Sequence, residues 1–158
     1  MRLFTAMRLP LRLCAVAVLA AICSGSAQSQ NPNLAPTFGS MNLRAGFLPD
    51  PFEKGVIAGG PRQIVTGGGL RMWVANAPDF SVNYTAGNFP LTFYVRSRAD
   101  TTLLINLPDG TWVADDDSDG NLNPVIKLGR PQSGRYDIWV GTFNPGNPAA
   151  TLYITELR

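Results

Sequence analysis

From Phe52 onward the apolar residues come in short runs separated by Gly, Pro, Asn and Asp: "FEKGVIA", "LRMWVAN", "FSVNY", "LTFYVRS", "TTLLINL", "TWVA", "PVIKL", "RYDIWVGT" and "ATLYITE". Runs of this length, rich in β-branched and aromatic residues and bounded by turn formers, predict strands. Several alternate. Leu91, Phe93 and Val95 oppose Thr92, Tyr94 and Arg96, and Tyr136, Ile138 and Val140 oppose Asp137 and Trp139. In each case the first set is expected to face the core. No segment repeats apolar residues at three and four positions between caps, so almost no helix is expected. The pattern predicts an all-β protein, a jelly-roll-like antiparallel β-sandwich of about 8–9 strands over residues 52–158. "PDG" at Pro108–Gly110 lies between two strand-like runs, and Asp-Gly tolerates the left-handed backbone of tight turns. Thr102 to Val113 is therefore expected to form a hairpin.

Residues 28–51 show neither period and mix Pro, Asn, Ser and Gly, which predicts a linker or extended arm. Leu43, Phe47, Leu48 and Phe52 are nevertheless too apolar for a fully solvated tether. Part of the arm is expected to dock, across the face that carries Trp73, Trp139 and Tyr153. Ahead of it, Arg2, Arg8 and Arg12 precede the uncharged run "LCAVAVLAAIC" and the small residues "SGSA". This is the form of a secretory signal over residues 1–27, with cleavage before Gln28. The run is too short to span a bilayer as a helix, and Ile22 stands where a lipobox wants a small residue, so no membrane anchor is expected after cleavage. The product is expected to be secreted or periplasmic.

Removing that signal changes the charge and the chemistry. Both cysteines leave with it, and so do three of the thirteen basic residues, so ten Lys and Arg face eleven Asp and Glu. The basic balance belongs to the signal. What remains offers no basic patch for nucleic acid, no disulfide and no thiol nucleophile. Histidine is absent from the whole chain, which excludes Ser-His-Asp and Cys-His sites and HExxH zinc centres. Lys54 and Lys127 stand in no SxxK arrangement. "GGGL" at Gly67–Leu70 lacks the Gly-Lys-Ser/Thr ending of a phosphate loop and reads as a flexible turn.

One stretch concentrates charge: "ADDDSDGNLNP", Ala114–Pro124, with four aspartates in five positions. Like charges ~4 Å apart repel by ~1 kcal/mol in bulk water and by several times that near a protein surface. Either the stretch stays solvated as an acidic turn, or it holds a cation. Asp115, Asp117 and Asp119 followed by Gly120 spell DxDxDG, and carboxylates on alternate residues of a tight loop can converge on a calcium ion, which takes six to eight hard oxygen ligands. Magnesium prefers a smaller cage with retained water. Ile126 stands where an EF-hand needs its bidentate Glu, so the scaffold is a different one. The expected ligands are Asp115, Asp116, Asp117, Asp119 and Asn121, with Asp79 as a further candidate outside the loop.

The segment from about Val74 to Glu156 resembles the bacterial pre-peptidase C-terminal domain family. The likeness rests on the "PDG" hairpin, the "DDDS" acidic loop and the "SGRYDIWVG" strand after a proline-bearing turn, in that order. The resemblance implies a small jelly-roll β-sandwich of a kind appended to secreted proteases, in which some members bind calcium through the acidic loop and some bind collagen or other polymers. Here a signal and the arm containing "NLRAGFLPDPFE" precede it, as in stand-alone exported members. A cysteine common before "DDDS" is replaced by Ala114.

Trp73, Tyr94, Trp139 and Tyr153 fall opposite the expected core positions. They form either an aromatic platform of the kind that stacks on sugars or prolyl residues, or a second layer of core beneath the arm. The reading that follows is a non-catalytic exported module with a structural calcium site, binding an extracellular or envelope polymer or protein. Two alternatives stand beside it. One is a subunit, accessory protein or inhibitor of an envelope or secreted-protease assembly; the other is a carboxylate hydrolase using Asp115 to Asp119 with Asp79 or Asp137.

Overall fold

A computed structural model describes residues 30–158, and the expected export signal lies outside the described residues. Among them are eleven strands and no helix. They are β1 (Ser40–Arg44), β2 (Phe52–Ile57), β3 (Arg62–Val65), β4 (Arg71–Val74), β5 (Phe80–Thr85) and β6 (Leu91–Arg96). β7 (Thr101–Asn106), β8 (Trp112–Asp115), β9 (Val125–Leu128), β10 (Gly134–Thr142) and β11 (Ala149–Thr155) complete the chain. β2, β11, β6 and β9 make a four-stranded sheet, and the other seven make a second sheet packed on the first. The fold is a β-sandwich.

The alternation places the core as the sequence implies. Leu91, Phe93 and Val95 of β6, Leu152 and Ile154 of β11, and Tyr136, Ile138 and Val140 of β10 join one cluster between the sheets, each almost or fully withdrawn from water. Burying each such side chain is worth ~1.5–3 kcal/mol, enough to hold register without any disulfide.

β10 organises the seven-stranded sheet. β7 lies along one of its edges, while β5 and then β4 follow each other along the opposite edge, so Asp137 pairs with both Asn106 and Ser81. Its second face is buried too. Trp139 joins Met72, Val74 and Leu104 in a smaller core on the outer side of the sheet, with Ile64 and Leu70 packed against it. An alternating strand thus carries two buried faces, one bearing Tyr136, Ile138 and Val140 and one on which Asp137 is hydrogen-bonded.

Two strands beyond the expected eight or nine are β1 and β3. The arm is in part a strand: β1 pairs with β5 from Ser40↔Ser81 to Arg44↔Thr85, and this pairing is parallel in a sandwich otherwise antiparallel. The sandwich therefore begins before Phe52. β1 shows no alternation because backbone bonds hold it at an edge with most of its side chains in water. The apolar residues of the arm dock elsewhere than expected. Phe47 is buried in the main core with Leu43 and Phe52 packed against it, while Leu48 is exposed.

Candidate metal centre

The hairpin from β7 to β8 turns at Pro108–Gly110. Gly110 adopts φ +83°, and Asp109 accepts bonds from the Thr111 amide (2.9 Å) and hydroxyl (2.7 Å). The register runs from Asn106↔Trp112 to Leu103↔Asp115. Continued past its last pair, this ladder sets Asp100, just before β7, beside the residues just after β8. From Asp115 the chain loops across to β9 in the other sheet, so the acidic stretch bridges the two layers at one end of the sandwich.

Two of the expected ligands are occupied in holding the loop. Asp115 accepts the Ser118 hydroxyl (2.6 Å) and amide (3.2 Å) and, across the loop, the Val125 amide (2.8 Å). Asp119 is gripped by Arg96 and Arg158. Burial opposes its charge, but hydrogen bonds from Arg158 and Arg96 outweigh this and hold the carboxyl below its ordinary range. A carboxylate neutralised by two guanidinium groups is an anchor, and its freedom to bind a cation is small. Asn121 and Leu122 are left-handed at φ 52° and 59°, which Asn tolerates and Leu does so only under strain. Asn123, buried beneath them, fixes this turn by accepting the Ser97 amide (3.0 Å) and Thr101 hydroxyl (3.3 Å) and donating to the Asn121 carbonyl (2.8 Å).

The remaining acids converge. Oxygens of Asp100, Asp116 and Asp117 lie within 4.8 Å of one another. One oxygen of Asp116 and one of Asp100 are buried with no hydrogen-bond partner among the described residues. Burial, and then the charges of Asp117, Asp100 and Asp115, push the Asp116 carboxyl up to about 6. Burial and Asp117 likewise raise Asp100. Three hard oxygen donors, mutually repelling and two of them with a buried oxygen that no described residue satisfies, fit a divalent cation of the calcium type, with backbone carbonyls or water able to complete the shell.

The expected ligands thus divide into two groups. Asp116 and Asp117 meet, Asp115 and Asp119 support, and Asn121 offers its carbonyl to Asn123. Asp100 and Asn123 were missed, although counting the hairpin outward from Pro108–Gly110 would have found Asp100. Asp79 is no member of the trio. It is buried at the start of β5, accepts the Val140 amide (2.7 Å), and is pushed up to about 7 by burial against that one bond.

The four aromatics do not make one platform. Trp139 is fully buried in the outer core, as the second-layer reading implies, and Trp73 of β4 is half-buried. Tyr94 and Tyr153 belong to the other sheet, where they stack on each other at 4.7 Å between cross-strand neighbours. Arg96 and Arg158 lie over Tyr94 at 5.0 and 4.5 Å from its centroid, so its ring is already engaged. The chain matches no family model and no curated protein in sequence.

Proposed function

We propose that this chain is a non-catalytic, exported β-sandwich module of the pre-peptidase C-terminal kind, with one structural calcium ion at Asp100, Asp116 and Asp117 and a polymer or protein partner outside the cytoplasm. The observation that carries the metal reading is the pair of buried, unpartnered carboxylate oxygens inside a three-acid cluster. Such groups cost free energy unless something positive completes them. The hydrolase reading loses support from the same geometry: Asp115 and Asp119 are tied up by hydrogen bonds and ion pairs, and Asp79 lies outside the cluster. The absent histidine and the signal-like N-terminus support the rest of the reading.

The test is thermal unfolding with a few millimolar calcium, with equal magnesium, and with chelator. At an affinity of ~0.1–1 mM, calcium adds roughly 1–2 kcal/mol and raises Tm, magnesium does less, and Asp117→Asn blunts the shift. Asp109→Asn, at the hairpin tip, leaves it intact. Superimposable melts in calcium and chelator would sink the metal reading.

A further inference from the structure

The outer side of the seven-stranded sheet has a hollow of about 450 Å³, floored by Leu104 and Trp112, walled by Ile64 and Gln30, and rimmed by the turn at Thr66 to Gly68. Trp112 is 42% exposed, an expensive placement for the largest side chain on a four-residue edge strand. Its ring is braced from behind, tilted at 41° and 5.2 Å from the fully buried Trp139. The Trp139 indole N–H in that support has no partner.

The rim has an unexplained feature. Of the three glycines at 67, 68 and 69, only Gly69 is left-handed, at φ +85°. A Cβ at Gly67 would meet nothing within 4 Å, and one at Gly68 only the Thr66 hydroxyl oxygen at 3.9 Å. Neither backbone conformation nor internal packing requires glycine at 67 or 68. Bare backbone there leaves the turn open to close approach from outside. The Thr66 oxygen accepts the Leu70 amide (3.2 Å), which leaves its own proton to donate, and the Gln30 amide is oriented by the Ala75 carbonyl (3.3 Å).

Among the described residues no charged side chain lines the hollow. A charged occupant would lose its hydration with nothing to replace it, so the complementary ligand is neutral. It must offer an apolar face to an indole and hydroxyls or amides to a threonine and open peptide groups. A proline-rich peptide also stacks on tryptophan but needs an extended groove. We propose that the hollow is a subsite for a neutral saccharide, with one sugar ring stacked on Trp112 and its hydroxyls facing Thr66 and the glycine turn. This rests on the reading of the chain as a polymer-binding module and names the class of polymer.

The experiment is calorimetric titration of the protein with neutral tri- and hexasaccharides of glucose, xylose, mannose and N-acetylglucosamine, and with hexaproline, in calcium and in chelator. At least one saccharide binds at millimolar concentration or below. Trp112→Ala weakens it at least tenfold, and Gly68→Val, which has room to fold, does the same with Tm unchanged. Binding that survives both substitutions, no saccharide bound, or hexaproline bound in their place would each overturn the subsite. The calcium-dependent Tm shift is read in the same samples. Its loss with saccharide binding intact fails the metal reading alone, and the converse fails the subsite alone.

Discussion

Asp137 and Glu156 lie deeper than Asp100 and Asp116, yet they are the better provided. Asp137 accepts the Ser81 hydroxyl (2.5 Å) and Arg135 Nε (2.8 Å); Glu156 accepts the Tyr84 hydroxyl (2.5 Å) and the Gly46 amide (2.8 Å). Asp100 and Asp116 each keep a buried oxygen without any donor, with like charges for neighbours. Asp79 falls between, with a single amide. The supply of donors, more than depth, separates carboxylates that build the fold from carboxylates that wait for something else. Inside one loop, Asp115 and Asp119 fall on the first side of this division and Asp116 on the second.

The comparison can be broken most forcefully at its satisfied end. Glu156→Ala strips the buried Tyr84 hydroxyl and the Gly46 amide of their acceptor, and denaturant unfolding is expected to show a loss of about 4 kcal/mol. A loss under about 1 kcal/mol would mean that donor supply is no guide here. Asp79 is the intermediate case. Its carboxyl, raised from 3.8 to about 7, binds a proton in the fold that the unfolded chain lacks between those values. Its contribution therefore favours the folded state at lower pH and is lost as pH rises through about 7. From about pH 5 to about pH 8 it removes on the order of 2 kcal/mol, and Asp79→Asn should flatten that slope in melts across the range. The smallest effect has the most telling sign. Asp116→Asn relieves repulsion and should raise Tm slightly in chelator, by under about 1 kcal/mol, while lowering Tm in calcium. A variant destabilised in both conditions would place Asp116 with Glu156 among the fold-building acids.

Nine strands were legible because each is a short run rich in β-branched and aromatic residues between turn formers, and several alternate. β1 and β3 write little: SMNLR is held by its backbone against β5, and the four residues of β3 lie at the far edge against β4. The second buried face of β10 was legible only as one of two alternatives, because Trp139 becomes core only when side chains of β4, β7 and β8 pack against it. The acidic loop announced itself by composition, but the assignment of roles did not. Which aspartate anchors and which is left over depends on Arg96, Arg158 and Val125, and on Asp100 arriving by hairpin register; local spacing contains none of these.

The central place of β10 also fixes an order of events. β5, β7 and β4 all precede it in the chain and none of them pairs with another, so the larger sheet has no contiguous form until residues 134–142 arrive. The Gly46 amide waits longer still, for a carboxylate 110 positions away. A chain emerging N-terminus first, from a ribosome or through a translocation pore, would carry hairpins and single strands for most of its passage and close only at the end. The strand order thus keeps the polypeptide threadable until nearly all of it is through.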